Sequence, residues 1–248
     1  MIYELEIAWR TARREGLGSL FTKVRIYLRQ IANGMAFMCR RLPRNLSPAQ
    51  LVDFALTAGN GFLQTAQVRS EIVELANLVA ARRPKTVVEI GTAHGGTLFL
   101  WCQLADPGAT VISLDLPGGI HGGGYPYWKS WIYRRFPTGT QQLHLLRGDS
   151  HTPEMAARLK GALPGDGKVD FLFIDGDHTY EGVKADFNMY SELVRPGGLI
   201  VFHDICRHAA GMNCEVDRFW QEVKNERRTR EFVHDTNQGT CGIGVIEV

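Results

Sequence analysis

From residue 85 onward the chain alternates between short, nearly continuous apolar runs and stretches whose apolar residues recur every three or four positions. The runs are KTVVEI (85–90), ATVISLD (109–115), QLHLLRG (142–148), VDFLFID (169–175) and GLIVFHD (198–204). Lack of polar alternation is the pattern of strands buried on both faces of a parallel sheet. The clearest helical stretch is 179–194, where Tyr180, Val183, Phe187, Tyr190 and Val194 make one apolar face. It is expected to stop at Arg195-Pro196-Gly197-Gly198, which cannot continue a helix. Strands alternating with helices predict βαβ units with right-handed crossovers, hence a doubly wound α/β fold.

Both ends of the chain depart from this rhythm. Residues Glu215–Glu226 read as a helix, and REFVHD and CGIGVIEV as two strands joined only by TNQGT. So short a link makes a hairpin, and the last strand should enter the sheet antiparallel. Residues 1–80 read as a helical extension of the body over 81–248, with helices near 20–38, 48–57 and 66–82, the second started by Ser47-Pro48. The stretch 20–38 places Phe21, Val24, Leu28, Ile31 and Met35 on one face and Lys23, Arg25 and Arg29 elsewhere. Such a helix packs on the body, on a second subunit of a homo-oligomer, or on a membrane surface.

The chain has 248 residues, 44% hydrophobic and 22% charged, the composition of a globular protein. The net charge of +2 is unevenly placed: residues 1–44 carry nine Lys or Arg against three Glu, leaving 45–248 at −4. A basic arm on a mildly acidic body hints at an anionic partner, but cations confined to one arm argue against nucleic acid. No apolar run reaches the ~18 residues needed to span a bilayer. Five scattered cysteines do not make a disulfide framework, which points to a reducing cytoplasm.

The most informative segment is VVEIGTAHGGTLFL (87–100). A strand ends at Ile90, Gly91 opens a turn, and Gly95-Gly96 precede a helix, so the backbone can approach a ligand at a helix N-terminus. The next strand ends in Asp115, a carboxylate that can accept from both hydroxyls of a ribose. The third ends in Gly148-Asp149-Ser150, polar groups suited to an adenine edge. Each alone is a weak signal. In order, on the carboxyl ends of three consecutive strands, they mark a nucleoside cofactor site.

The stretch 85–248 resembles the class I S-adenosylmethionine-dependent methyltransferases, with their mostly parallel seven-stranded sheet and antiparallel terminal hairpin. More narrowly, VVEIGTAHGGTL, FIDGDHTYEGVKADF and GGLIVFHDI resemble a bacterial group that includes the macrolide-sugar O-methyltransferases, the rhamnosyl O-methyltransferases and the cephalosporin hydroxylase-like proteins. The resemblance implies that Gly91, Thr92, Ala93, Gly95 and Thr97 pack against the methionine part of the cofactor and that Asp115 holds the ribose. It places Asp149 and Ser150 beside the adenine, and Glu89 at the usual acidic position of the first motif. The implied acceptor is a small hydroxylated molecule that carries a sugar.

Methyl transfer to an aliphatic hydroxyl needs the oxygen about 3–3.5 Å from the methyl carbon. It also needs help in removing the proton. Asp175 and Asp204 end the fourth and fifth runs and should point over one edge of the sheet, beside the expected sulfonium. Two convergent carboxylates suit a hard cation such as Mg²⁺. His178 follows three residues after Asp175 and is the candidate base. The resemblance implies the same roles, with Asp175, His203 and Asp204 at the metal positions. His203 stands where the macrolide-sugar enzymes carry a carboxylate. That leaves Mn²⁺ or Fe²⁺, a non-ligand His203, or no metal at all as open readings.

Residues 116–137 form a long glycine- and aromatic-rich connection, expected to be a lid over the acceptor. His203, Cys206, His208 and Cys214 cluster in sequence, but their spacing matches no standard zinc pair. A nucleotide-dependent oxidoreductase and a non-catalytic binding protein are the readings from other classes. The missing G-x-G-x-x-G and the final hairpin count against the first. Gly91, Asp115, Asp175, His178 and Asp204 together count against the second.

Overall fold

Successive residues of the central runs are buried on opposite faces of one sheet, which is why those runs carry no polar alternation. Val87, Val111, Phe171 and Val201 belong to one core, while Val88, Ile112, Leu172 and Ile200 belong to a second. The computed structural model describes residues 17–39, 45–118, 124–209 and 211–248. Residues 1–16 and 40–44 of the basic arm, and Gly119, Gly122 and Gly123 of the expected lid, lie outside the described residues.

Strands β1 (Thr86–Ile90), β2 (Thr110–Asp115), β3 (Gln142–Arg147), β4 (Val169–Ile174), β5 (Val194–His203), β6 (Arg228–Phe232) and β7 (Ile243–Glu247) form one sheet in the order β3-β2-β1-β4-β5-β7-β6. The first five are mutually parallel. Strand β7 runs antiparallel to both β5 and β6, as the short hairpin link requires. The strand order reverses between β1 and β4, which opens a crevice at their carboxyl ends.

Helices α1 (Leu17–Met38), α2 (Pro48–Gly61), α3 (Arg69–Arg82), α4 (Gly96–Leu104) and α5 (Lys129–Tyr133) cover one face. Helices α6 (Pro153–Ala162), α7 (Tyr180–Tyr190) and α8 (Val216–Val223) cover the other. Ser47 starts α2 with a capping box: its hydroxyl accepts from the Gln50 N–H, and the Gln50 side chain accepts from the Ser47 N–H. Residues 48–82 share one continuous core with the strands, since Leu51, Val52, Ile72, Leu75 and Val79 pack with Val87 and Phe171.

The junction after α7 differs from the sequence expectation. The helix expected over 179–194 ends at Tyr190 and is followed by a 3₁₀ turn, Ser191–Leu193. Tyr190 is anchored there by its hydroxyl, which donates to the Ser150 carbonyl at 2.6 Å. Val194 then pairs with Val169, so β5 begins four residues early, and Arg195–Gly198 bulge out before pairing resumes at Leu199. Pro196 has no N–H to give the ladder, and Gly197 takes φ +82°.

The largest departure concerns α1. The apolar face read from the sequence is turned outward: Phe21 is 72% exposed, Leu28 59% and Met35 54%. A different stripe makes the contact. Phe37 is buried among Phe54, Phe62 and Phe136, and Tyr27 meets the Trp128 ring edge-on. Gly34 permits the close approach, because a Cβ there would lie about 3 Å from Trp128, Ile132 and Phe62.

Phe37→Ala is expected to lower stability by about 3–5 kcal/mol through the cavity it leaves, and Phe21→Ala by no more than about 0.5 kcal/mol. Urea denaturation of the two variants checks this. At the entry to α6, His151 Nε2 lies 3.1 Å from the Gly182 carbonyl oxygen and 3.3 Å from Oδ1 of the fully buried Asp186, whose carboxylate above all lifts His151 to about 9. A base raised on folding stabilises the protein fully below its unfolded pKa and loses that contribution as pH rises through the folded value. Thermal midpoints should therefore fall between about pH 6.5 and 9, and Asp186→Asn should flatten that slope.

Candidate active site

The crevice is built on a contact that only glycine allows. At Gly91, φ is +89° and a Cβ would lie 1.9 Å from the Asp175 carbonyl oxygen. The Gly91 N–H donates to Leu114 and the Asp175 N–H to Ile90, so the ends of β2, β1 and β4 are tied together. From there Gly91, Thr92, Ala93, His94 and Thr97 line a cavity. Gly95 does not line it; it lies against the Tyr133 ring, where a side chain would clash.

Glu89 sits beneath this loop, fully buried and away from the cavity. Its carboxylate accepts from the Thr92 hydroxyl at 2.8 Å and from Trp101 Nε1 at 2.9 Å. Burial pushes it up to about 8, against the bonds from the Thr97 and Thr92 hydroxyls, so it holds the loop from below. Asp115, by contrast, does line the cavity. Backbone N–H groups of Thr92 and Ala93 donate to its Oδ1, and that of Tyr125 to its Oδ2. Burial raises its pKa, and these three bonds work against the rise. Asp149 and Ser150 close the far side of the same cavity, with Leu116 supplying an apolar flank.

Asp175 and His178 line the cavity, with Asp204 and His203 buried directly behind them. Asp175 Oδ1 lies 3.0 Å from His203 Nδ1 and 3.3 Å from His178 Nε2. Asp204 Oδ2 lies 3.3 Å from His178 Nδ1 and 3.4 Å from His203 Nδ1. The four side chains read from the sequence therefore converge. Burial alone would raise both acids, but the neighbouring imidazoles outweigh it, His203 most of all, and hold Asp175 and Asp204 below the usual carboxylate range. Burial likewise opposes charge on His178 and His203, and the carboxylates overcome it, raising both. Asp204 holds φ +63°, a strained conformation for this residue that the surrounding bonds maintain.

Further groups had no sequence signal. Gln64, Thr65, Ala66 and Gln67, in the loop between α2 and α3, form one wall of the cavity, and Gln67 Nε2 donates to Asp175 Oδ2 at 2.8 Å. His208 Nε2 lies 3.3 Å from Asp204 Oδ1. The cysteine–histidine cluster read from the sequence divides in space. Cys214 comes near His178 and Asp204, and Cys241 near His203 and Asp204, whereas Cys206 joins neither group. Only the tertiary structure brings Cys241 to this place.

The aromatic lid is a correction. Tyr125, Tyr133 and Phe136 are core residues rather than faces over an acceptor. The Tyr133 hydroxyl donates to the Ala93 carbonyl, so this part of the connection braces the glycine loop. Tyr127 and Trp131 remain exposed.

A protein-family profile described as a methyltransferase domain matches residues 88–205, just under half of the chain. Among curated proteins, the uncharacterized protein y4gI of Sinorhizobium fredii is 30% identical over 172 residues, 65% of this chain and 17% of that protein. The uncharacterized protein R132 of Acanthamoeba polyphaga mimivirus is 33% identical over 145 residues, 58% of this chain and 62% of that protein. The chain thus spans less than two thirds of either relative. Among solved structures, the O-methyltransferase from Bacillus cereus in complex with SAH is similar at TM-score 0.54 and 16% identity, covering 84% of this chain and 93% of that one. MycE methyltransferase of the mycinamycin biosynthetic pathway, in complex with Mg, SAH and mycinamycin VI, is similar at TM-score 0.52 and 18% identity, covering 82% of this chain and 55% of that one. Residues 88–205 thus match a methyltransferase-domain profile, and the chain shares the fold of the solved O-methyltransferases.

Proposed function

We propose that this chain transfers the methyl group of S-adenosylmethionine to a hydroxyl of a sugar or glycosylated small molecule, assisted by a divalent cation. The observation that carries the reading is the convergence of Asp175, His178, His203 and Asp204 beside the cavity that Asp115 and the 91–97 loop line. The cavity suits the cofactor. Asp115 accepts three backbone N–H groups, two on Oδ1 and one on Oδ2, which leaves a lone pair on Oδ2 for a ribose hydroxyl. Asp149, Ser150 and Leu116 offer a polar edge and an apolar flank for the adenine, and the N-terminal turn of α4 favours the methionine carboxylate. S-adenosylmethionine supplies the electrophilic methyl when bound.

The donor set fits a cation as well. Each imidazole lies 3.0–3.4 Å from both carboxylates, and the ligand atoms of His203, Asp204 and Cys241, like those of His178, Asp204 and Cys214, lie within 4.8 Å of one another. Asp175, Asp204 and His203 would hold it, and nitrogen in the set favours Mn²⁺ or Fe²⁺ over Mg²⁺. A cation held there would supply Lewis acidity that lowers the pKa of a bound hydroxyl. His178 in its neutral form would take the acceptor's proton on a ring nitrogen that exchanges its carboxylate for the acceptor hydroxyl, while the carboxylate 3.3 Å from the other nitrogen stabilises the imidazolium that results. Gln67 holds Asp175 in place through the oxygen turned away from His178. MycE, whose solved complex contains Mg and mycinamycin VI, is the similar structure that suggests both the cation and the sugar-bearing acceptor.

Asp115→Ala is expected to weaken SAH binding at least about tenfold, the loss of one charged hydrogen-bond acceptor; calorimetry decides, and unchanged affinity would sink the cofactor reading. With labelled S-adenosylmethionine and a panel of sugar nucleotides, glycosides and lipid-linked sugars, turnover should stop on EDTA and return with Mn²⁺. His178→Ala should lower turnover by about 10²–10⁴ while leaving SAH affinity unchanged. Turnover indifferent to EDTA would remove the cation and leave His178 as the principal group.

A further inference from the structure

Helix α1 rests on the body through Tyr27, Gly34 and Phe37 and turns an apolar stripe to solvent. Leu17, Phe21, Val24, Leu28 and Met35 are each 42–72% exposed. At 3.6 residues per turn their side chains fall within a sector of about 60°. Residues 17–39 contain no Asp or Glu, and Arg25 and Arg29 are exposed on one shoulder of the stripe. The helix is an amphipathic cation.

We propose that α1 lies on an anionic lipid surface, its apolar stripe in the headgroup–acyl boundary and its arginines among the phosphates. Charge complementarity selects this occupant. A second copy set stripe to stripe would bring Arg25 and Arg29 of each helix near the other, with no acid on either helix to answer them. A lipid surface buries the same side chains and supplies the counter-charge at the depth of the shoulders. Among the described residues no helix is long and apolar enough to cross a membrane, so the mode is peripheral. The stripe that docks α1 touches Phe62, Trp128 and Ile132. The proposal stands on α1 alone, whatever the acceptor.

The test is flotation of the full chain with vesicles of phosphatidylcholine, with and without about a third of phosphatidylserine, at low and high ionic strength. Binding is expected to the mixed vesicles at low salt and to weaken at least about tenfold without phosphatidylserine or at high salt. The double variant Phe21→Glu/Leu28→Glu should lose binding while its denaturation midpoint stays put, since both residues are exposed. Arg25→Gln/Arg29→Gln should lose the preference for phosphatidylserine. Failure to float with mixed vesicles overturns the proposal, as does flotation indifferent to Phe21→Glu/Leu28→Glu. A dimer by light scattering that this variant dissociates, without vesicle binding, would assign the stripe to a second copy instead.

Discussion

The approach of Gly91 to Asp175 governs the site. Two parallel strands, β1 and β4, leave the sheet here in opposite directions, and their ends must part enough to open a crevice yet stay joined by the bond from the Asp175 N–H to the Ile90 carbonyl. With a Cβ at residue 91 only 1.9 Å from the Asp175 carbonyl, any side chain would drive the two ends apart. The loop that follows lines the cavity, and the strand end opposite places Asp175 and, three residues later, His178. The cavity wall and the acid–imidazole cluster are consequences of one contact.

Around it the charges are balanced in two ways. Glu89 is buried without a cation beside it and responds by rising to about 8, so it serves as a nearly neutral strut under the loop. Asp175 and Asp204 are buried with imidazoles on each side and respond the other way, staying ionised. Burial is common to both cases; the neighbours decide the direction. The same logic separates a nearly neutral acid from ionised ones although Glu and Asp differ by only one methylene.

The legibility of the chain varied with the range of the forces involved. The strands over 86–90, 110–115 and 169–174 were readable because burial on both faces leaves an unbroken apolar run. That Asp115, Asp149, Asp175 and Asp204 gather at one edge was readable because a parallel sheet directs every strand end there. The start of β5 was not: Val194 looks like the last rung of a helix, and only its pairing with Val169 makes it a strand. Tyr125, Tyr133 and Phe136 carry the same aromatic signature whether they cover a ligand or fill a core. Gln67 had no signature at all, since its bond to Asp175 spans 108 positions of chain.

Local pattern thus determined the α/β class, the antiparallel hairpin, the capped start of α2 and the set of acids at the sheet edge, because each depends on periodicity or on groups a few residues apart. Tertiary structure decided which face of α1 is covered, which aromatics are core, and which side chains surround Asp175. An amphipathic stripe states only that a face is apolar; what meets it is set by residues far along the chain, here Phe62, Trp128 and Ile132 closing on Gly34. Long-range packing follows from the shapes of all the partners at once, and no single segment carries that information.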